Sequence, residues 1–494
     1  MSLQEYLKEQ RSAPWRLELR KTIKNKDRTL LTRVEMNSLD PEIRNKNYEE
    51  VNLGLTPEQA IAEAHRCLDC ANPTCISGCP VEINIPQFIK NIERNEFLEA
   101  AKTLKETSAL PAVCGRVCPQ ERQCESQCFY VQKLNKPAVA IGHLERFAAD
   151  FERDTGNLAV PEVEPTNGIK VAVIGSGPAG LSFAGDMVKK GFEVTVYEAL
   201  HELGGVLRYG IPEFRLPNEI VDAEIDVLAK MGVKFMTNCI IGKTISHDDL
   251  IAEDYKGIFV ASGAGLPHFM HIPGENLNGV MSCNEYLTRI NLMDAASPES
   301  DTPVHMGKKV AVIGGGNTAM DAARTAKRLG AERAMIVYRR SEAEMPARLE
   351  EVHHAKEEGI EFYTLHNPLK YEGDERGRVQ HMLLQKMELG EADASGRRRP
   401  IAIEGETIWV EVDQVIVSVG VSPNPLIPST FQGLEITDWG TIVVNSDTMQ
   451  SAQTEIYAGG DIVRGGATVI LAMGDGRKAA KGMSEAIFSE QSNS

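Results

Sequence analysis

Two short apolar runs stand out along the chain, and each leads directly into a glycine-rich turn. VAVI at 171–174 precedes GSGPAG, and the same four letters at 310–313 precede GGGNTA. A short apolar run that ends in such a turn is typical of a strand buried on both faces of a parallel sheet. A helical pattern follows each turn, so the sequence predicts two strand-turn-helix units of the kind that bind dinucleotides.

The N-terminal part of the chain has a different pattern. The segment IPQFIKNIERNEFLEAAKTLKE at 85–106 places apolar residues at helical spacing, and cysteine- and proline-containing turns separate such segments. The stretch at 154–168 lacks periodicity, as a linker does. The end of the chain contains a further strand, glycine-rich turn and helix, which we expect to complete the first dinucleotide unit.

The sequence therefore predicts an α-helical N-terminal domain and two Rossmann-like α/β domains of the disulfide-reductase type. We expect the helical domain at 1–165 and the second α/β domain at 308–420. The first α/β domain would be discontinuous, at 166–307 plus 421–494. A chain of 494 residues is long enough for such a division.

Charge and hydropathy narrow the functional classes. A formal net charge of −17, with no basic run above the acidic background, disfavours nucleic acid as a partner. No apolar stretch approaches the roughly 18 residues of a membrane span. The first residues are charged and lack the apolar core of a secretory signal, so we expect a cytoplasmic protein.

Eight of the ten cysteines fall in two runs of the N-terminal domain. The first run is C-x2-C-x4-C-x3-C-P, close to the bacterial ferredoxin pattern for 4Fe-4S clusters but two residues longer in its middle gap. The second run is C-x3-C-P-x4-C-x3-C. Their members are Cys67, Cys70, Cys75 and Cys79, then Cys114, Cys118, Cys124 and Cys128.

Eight thiolates suffice for two 4Fe-4S clusters, but soft thiolates also suit structural zinc. The cysteine-proline pairs and the two redox dinucleotide sites downstream favour electron-carrying clusters. Cys239 and Cys283 lie apart from this group and receive no role.

The first glycine-rich turn has the features of an FAD site. Its glycines allow a tight turn and close approach of the backbone to a pyrophosphate. Glu198 ends the next predicted strand, where a carboxylate accepts hydrogen bonds from an unphosphorylated ribose. Near the C-terminus, Gly460 and Asp461 are candidates for the flavin ribityl chain, with a surface turn as the alternative. The residues of the turn are Gly175, Ser176, Gly177, Pro178, Ala179 and Gly180.

The second turn predicts an NADP(H) site. The strand after its helix ends in Arg339 and Arg340 instead of an acid. Guanidinium groups bind a 2′-phosphate that a carboxylate would repel, although a solvated arginine pair is the alternative. The residues of this turn are Gly314, Gly316, Asn317, Thr318 and Ala319.

The motifs searched reveal no residue for acid-base or nucleophilic catalysis. The stretch 308–420 contains no cysteine, which excludes the C-x-x-C pair of a disulfide reductase from it. The cofactors would carry the hydride and the electrons, and the protein would bind and orient them. Electrons would then leave through the clusters.

Together these motifs resemble the small subunit of NADPH-dependent glutamate synthase over nearly the whole chain. The matching words are RCLDCANPTC, CGRVCPQERQCESQC, GSGPAGL, GGVLRYGIPEFRLP, GGGNTAMD, VYRRS, EMPA and AGGDIV. Three other stretches look closer to the large subunit of the electron-bifurcating, NADH-dependent reduced ferredoxin:NADP transhydrogenase: VEMNSLDPEIRNKNYEEVNLGLT, VEINIPQFI and GAGLPHFMHIPGENLNGVMSCNEYLTRINLM.

The resemblance implies specific ligands. By comparison with the N-terminal domain of dihydropyrimidine dehydrogenase, one cluster would be held by Cys67, Cys70, Cys75 and Cys128. The other would be held by Cys79, Cys118, Cys124 and Glu145, which leaves out Cys114. Gly205 and Arg215 would touch FAD, and Gly420 would lie near the nicotinamide.

The resemblance also implies a partner. Electrons would pass to or from a glutamate synthase large subunit or, on the transhydrogenase interpretation, a ferredoxin-reductase-like subunit with FAD and a 2Fe-2S cluster, with ferredoxin as a further partner. A self-sufficient homo-oligomeric oxidoreductase and a zinc-stabilised, non-catalytic scaffold are the remaining alternatives.

Overall fold

The computed structural model describes residues 3–393 and 396–493. Its N-terminal part, the helical domain, is built of short helices joined by turns, with a 3₁₀ turn at Gln120–Arg122. The helices are α1 Leu3–Arg11, α2 Pro14–Thr22, α3 Asn25–Arg28, α4 Pro41–Arg44, α5 Pro57–Ala64, α6 Thr74–Ser77, α7 Ile85–Glu93, α8 Phe97–Lys105, α9 Pro111–Val117, α10 Phe129–Leu134 and α11 Ile141–Asp154.

The central helix of this domain is α7, which is buried along its whole length. Its neighbours α5, α8 and α11 pack around it. Local signals set the helix starts: α5 begins with a capping box between Thr56 and Gln59 and has Pro57 in its first turn. The cysteine runs occupy the short helices and turns between these longer helices, where backbone and side chains can converge on a shared site.

The first α/β domain contains a five-stranded parallel sheet in the order β15-β4-β1-β2-β3. Its strands are β1 Lys170–Ile174, β2 Glu193–Tyr197, β3 Lys234–Met236, β4 Tyr255–Val260 and β15 Ile456–Ala458. Its helices are α12 Pro178–Lys189, α13 Val206–Tyr209, α14 Asn218–Lys230, α15 His247–Ala252, α19 Leu426–Thr430, α20 Asp461–Arg464 and α21 Val469–Asn493.

One face of this sheet shares a continuous apolar core with the helical domain. Helix α21 returns from the C-terminal part of the chain and packs along α12. In the core between them, the rings of Phe183 and Phe259 stack 4.4 Å apart. The helical domain is therefore packed directly against the first α/β domain.

The second α/β domain contains another five-stranded parallel sheet, in the order β6-β13-β7-β8-β9. Its strands are β6 Val280–Ser282, β7 Lys309–Ile313, β8 Arg333–Tyr338, β9 Glu361–Thr364 and β13 Gln414–Val417, and its helices are α16 Cys283–Asn291, α17 Asn317–Arg328 and α18 Leu349–Glu357. A 3₁₀ turn lies at Glu342–Glu344.

The helices cover one face of this second sheet. An antiparallel sheet of β10 His366–Gly373, β11 Val379–Ala392 and β12 Arg398–Glu411 covers the other face. Sequence reasoning did not identify this sheet, whose exposed face is largely polar. A two-stranded antiparallel ribbon, β5 Ala264–Pro267 with β14 Val421–Pro423, carries the two connections between the α/β domains.

The predicted fold class, a helical domain followed by two Rossmann-like domains, is confirmed. One expected boundary is wrong. Strand β6 hydrogen-bonds to β13 in the second sheet, so the second domain begins near Val280 and not at residue 308. The strand is only three residues long and has no glycine-rich turn after it, which is why its pattern did not reveal its sheet. Within the described ranges, no helix is long and apolar enough to cross a membrane.

Candidate functional site

The helical domain brings the first group of predicted cluster ligands to one cavity. Cys67, Cys70, Cys75 and Cys128 all line it, although Cys128 is more than fifty residues from the other three in sequence. The rest of the lining is almost entirely apolar, and includes Ile89. All four cysteine residues are of intermediate exposure, so this cavity lies near the protein surface.

The second group of predicted ligands lies deeper. Cys79, Cys118 and Cys124 are each at most 8% exposed. Glu145 of α11 is 5% exposed, and its Oε1 has no hydrogen-bond partner in the described chain. Burial raises the pKa of Cys79 to about 12, and Glu145 and Cys118 lie close enough to contribute to this shift.

Cys114, which the resemblance leaves out, belongs to this same buried neighbourhood. It is fully buried, and its Sγ lies 3.5 Å from Sδ of Met473 in α21. The Cα of Gly474 faces the carbonyl of Pro80, which follows Cys79. The second group of cysteines is therefore adjacent to the long helix of the first α/β domain.

The donor set fits iron-sulfur clusters. Four thiols line one largely apolar cavity, as ligands around a cluster of several atoms do. Burial raises the pKa of Glu145 to about 8.

The first glycine-rich turn has the geometry expected of a dinucleotide site. Gly175 has φ +104°, a conformation that favours glycine. A Cβ on Gly180 would clash with the carbonyl of Gly175, so only glycine allows α12 to lie this close to the turn. A Cβ on Gly177 would have no neighbour within 4 Å, which leaves open space in front of the N-terminus of α12.

A buried hydrogen-bond network holds Glu198 at this turn. Its Oε2 accepts from Ser176 N at 2.9 Å and from Ser176 Oγ at 2.6 Å. The same Oγ accepts from Gly204 N at 3.0 Å. The turn at Gly204 and Gly205 is thereby fixed against Gly177, which lies 3.0 Å from a Cβ built on Gly205.

The C-terminal candidates lie at the same place. A Cβ built on Gly460 would lie 3.1 Å from Cβ of Ala179 in α12. Asp461 Oδ1 accepts from Ala467 N at 3.0 Å, just before α21. Burial raises the pKa of Tyr209 to about 12, with further contributions from the nearby carboxylates of Asp461 and Glu198.

The EMPA segment, residues 344–347, covers the second glycine-rich turn. Gly314 has φ +149°, and a Cβ there would clash with the carbonyl of Ser418. Asn317 Oδ1 accepts from Arg348 N at 2.8 Å. Thr318 and Ala319 follow in the first turn of α17, after Gly316. Gly420, with φ +118° and open space around its Cα, begins the return to the first domain.

The two arginines of the predicted NADP(H) site have different environments. Arg339 is exposed, and its guanidinium has no hydrogen bond or ion pair in the described chain. Arg340 is buried, and its Nη2 donates to Asp393 at 2.9 Å while its Nε donates to the carbonyl of Arg398 at 2.8 Å. Of the two, Arg339 is the one available to a phosphate. The assignment of Arg340 to NADP(H) is corrected because the antiparallel sheet holds its side chain.

Arg215 is also not where the resemblance placed it. Its guanidinium pairs with two carboxylates of the second α/β domain, with Asp321 of α17 at 2.6 Å and with Glu351 of α18 at 3.2 Å. These contacts do not support its assignment to FAD. They belong to an interface between the two α/β domains that sequence reasoning missed, although Asp321 ends the word GGGNTAMD.

A cleft of about 850 Å³ opens between the two α/β domains. Leu200 and Tyr209 line it from the first domain, and Gly265 and Pro267 line it from the connecting ribbon. The second domain contributes Ser282, Asn284, Glu285, Thr288, Arg289, Met293, Asp301, Thr302 and Pro303. The cleft is large enough for parts of a dinucleotide and lies beside the Glu198 network.

A second missed feature joins the helical domain to the EMPA segment. Arg122, in the second cysteine run, donates to the carbonyls of Met345, Pro346 and Ala347 at 2.7, 2.9 and 3.1 Å. Glu121 accepts from Leu349 N at 3.0 Å. The loop of the second cysteine group is thus fixed to the segment that covers the second glycine-rich turn.

Comparisons with known proteins agree with these features. Residues 44–157 match the family described as dihydropyrimidine dehydrogenase domain II, 4Fe-4S cluster. Residues 169–476 match the pyridine nucleotide-disulphide oxidoreductase family. The chain is 36% identical to the glutamate synthase [NADPH] small chain of Azospirillum brasilense, over 89% of this chain and 92% of that protein.

The corresponding small chain of Escherichia coli K12 is also 36% identical, over 91% of this chain and 97% of that protein. Among solved structures, Mycobacterium tuberculosis FprA in complex with NADPH superposes with a TM-score of 0.56 at 20% identity, over 66% of this chain and 86% of that chain. At that identity the likeness concerns the fold alone.

The Ser176 network yields a stability prediction. Ser176→Ala removes the hydroxyl that joins Glu198 to Gly204 N and leaves that buried N–H without its acceptor. We expect the free energy of unfolding to fall by about 1–3 kcal/mol. Chemical denaturation of the wild type and the variant measures this difference.

The control is Ser489→Ala, whose hydroxyl bonds a carbonyl on the exposed side of α21 and should change stability by less than about 0.5 kcal/mol. Equal stability of the two variants would contradict the role assigned to Ser176.

Proposed function

The chain belongs to the glutamate synthase small-chain family, and from this premise we propose that it transfers electrons from NADPH, through FAD and two 4Fe-4S clusters, to a partner subunit. The family membership makes it an NADP(H)-dependent flavin and iron-sulfur oxidoreductase subunit. What we add is the residues that hold each cofactor, the order of transfer and the kind of partner.

The position of α21 supports the proposed order of electron transfer. This helix begins a few residues after Asp461, at the first glycine-rich turn, and its Met473 contacts Cys114 beside the second cysteine group. The first cysteine group lies nearer the surface. Electrons would therefore pass from the flavin site to the buried group, then to the partly exposed group and out to the partner.

Each cofactor site is assigned to residues that fit it. The open space at Gly177 and the N-terminus of α12 suit the FAD pyrophosphate, Glu198 suits its ribose, and Asp461 suits the ribityl chain. The orphaned Oε1 of buried Glu145 suits an iron ligand that completes the set of Cys79, Cys118 and Cys124. The other cluster would be held by Cys67, Cys70, Cys75 and Cys128.

The protein binds and orients the cofactors. When bound, the cofactors supply hydride acceptance and single-electron transfer. The second glycine-rich turn would hold the NADP(H) pyrophosphate at the N-terminus of α17, and Arg339 would bind the 2′-phosphate. Gly420, where the chain returns toward the first domain, would leave room for the nicotinamide. No side chain is required as an acid or base.

The partner we propose is a glutamate synthase large subunit. A second candidate is the bifurcating transhydrogenase, because the cleft is lined by residues of the segment that resembles it, such as Gly265 and Asn284. After its reduction by NADPH, the chain would pass electrons to a synthase large subunit in the first case. In the second case it would pass them to ferredoxin and a ferredoxin-reductase-like subunit.

The test of the function is a cofactor count combined with reduction. Chain purified without oxygen should contain about eight iron atoms and one FAD, and NADPH should bleach its visible absorbance in preference to NADH. Zinc in place of iron, or a flavin that NADPH does not reduce, would refute the proposal.

Arg339 generates a prediction about coenzyme preference. Arg339→Ala should raise the KM for NADPH about 10–100-fold, because a charge-assisted hydrogen bond contributes about 1.5–3 kcal/mol. The KM for NADH, which lacks the phosphate, should not change. Steady-state reduction of an artificial acceptor measures both constants.

Arg376→Ala serves as the control, since Arg376 is equally an exposed arginine of the second domain but lies in a turn before β11. A wild-type KM for NADPH in the Arg339 variant would remove Arg339 from the site.

Glu145 generates a prediction about the buried cluster. Glu145→Ala should lower the iron content from about eight towards about four per chain, because one ligand is lost. Glu145→Cys should keep about eight iron atoms and shift the reduction potential of one cluster. Iron analysis and potentiometric titration followed by electron paramagnetic resonance measure these effects.

The matched control is Glu152→Gln, on the same helix and also buried, but paired with Lys105. It should retain all the iron. Full iron content and unchanged potentials in both Glu145 variants would show that Glu145 is not a ligand.

A further inference from the structure

Two adjacent residues of the first α/β domain, Phe214 and Arg215, contact α17. This helix follows the second glycine-rich turn. Arg215 Nη1 donates to Oδ1 and Oδ2 of Asp321 at 2.7 and 2.6 Å. The Phe214 ring lies 3.8 Å from the guanidinium of Arg328 and 4.7 Å from that of Arg324. All of these side chains are buried.

The contacted residues share one face of α17. Positions 321, 324 and 328 are spaced by three and four residues, so they form a single stripe along the helix. At a rise of about 1.5 Å per residue the stripe is about 10 Å long. Glu358, which follows α18, accepts from Arg324 at 2.8 Å and from Arg328 at 2.7 Å. Helix α17 is thus held by the Phe214–Arg215 pair and by the end of α18 together.

The same pair connects the two glycine-rich turns. Asp321 lies one helical turn after Asn317, which is the first residue of α17. About ten residues before Phe214, Gly204 donates to Ser176 of the first turn. The first glycine-rich turn is therefore joined to the start of the second by the Gly204–Ser176 hydrogen bond, about ten residues of chain and the Arg215–Asp321 pair.

We infer that Phe214 and Arg215 position α17 so that the nicotinamide of NADP(H) is held against the flavin. This inference rests on the proposed function. Arg215 acts through Asp321 and is a positioning residue. Hydride transfer requires the reacting atoms within about 3–3.5 Å, and an error of about 1 Å in placement can lower the rate about 100-fold.

The chemistry of the contact suits positioning better than mere attachment. A buried ion pair gives little net stability compared with apolar side chains of similar volume, because both ions lose their hydration. The Arg215 guanidinium, however, pairs with two carboxylates at once, with Asp321 through Nη1 and with Glu351 through Nε, and this permits only a narrow range of relative orientations. The Phe214 ring beside two guanidinium groups restricts rotation about that contact.

The experiment compares flavin reduction in Arg215→Gln, Arg215→Lys and the wild-type holoprotein. Anaerobic rapid mixing with NADPH gives the limiting rate and the apparent Kd, and FAD and iron are counted per chain. In Arg215→Gln we expect the limiting rate to fall about 10–100-fold, with the Kd changed by less than about threefold and FAD retained. Arg215→Lys should be intermediate, because lysine restores the charge without the second nitrogen that pairs with Glu351.

Arg333→Gln is the matched control. It removes a similar two-bond pair, to Glu361 at 2.8 Å, but within the second domain alone, so its limiting rate should equal that of the wild type. A full complement of FAD and a wild-type rate in Arg215→Gln would overturn the inference. Loss of FAD from that variant would also overturn it and return Arg215 to the FAD site.

If Arg215→Gln does not fold, Arg215→Lys and Phe214→Leu decide the matter. Both should retain FAD and be reduced more slowly than the wild type, and wild-type rates in both would overturn the inference. A wild-type flavin that NADPH does not reduce would refute the proposed function itself, and this inference with it. A slow variant beside a reducible wild type supports both.

Discussion

The Glu358 carboxylate is fully buried among three guanidinium groups from two domains. Arg44 of the helical domain lies 3.0 Å away, and Arg324 and Arg328 of α17 lie 2.8 and 2.7 Å away. Burial alone would raise the pKa of Glu358, but the two α17 guanidinium groups outweigh it and lower the pKa to about 2. The carboxylate stays charged at neutral pH, and removing it would leave the buried guanidinium of Arg328 without its acidic partner, at a cost of about 3–5 kcal/mol.

This network extends to the first α/β domain through Glu351. Its carboxylate pairs with Arg215 and Arg324, and these charges overcome the effect of burial and lower its pKa to about 2 as well. All three domains therefore meet at α17 and α18. Two other contacts support the same arrangement: the Arg122 bonds to the EMPA segment, and the apolar packing of α21 against the helical domain.

A fixed arrangement suits a protein that moves electrons between several centres. Transfer depends on short distances that must be kept in every turnover, whereas binding and release need only local opening. The cleft between the α/β domains leaves room for such opening beside Tyr209. The first cysteine group is more exposed than the second, so a partner would reach it without any domain movement.

The local sequence determined the dinucleotide-binding units and the presence of the metal centres. Glycine-rich turns after apolar strands fixed both dinucleotide units, because only glycine tolerates positions such as Gly175 and Gly180. Cysteine spacing indicated two metal centres, and their grouping followed from resemblance. Tertiary structure decided which polar side chains face a ligand and which face a neighbouring domain. Arg340 and Arg215 look like ligand-binding residues in their motifs, yet carboxylates from distant segments hold both. A charged side chain pairs with whatever opposite charge the fold brings near, and that partner cannot be found from its neighbours in sequence.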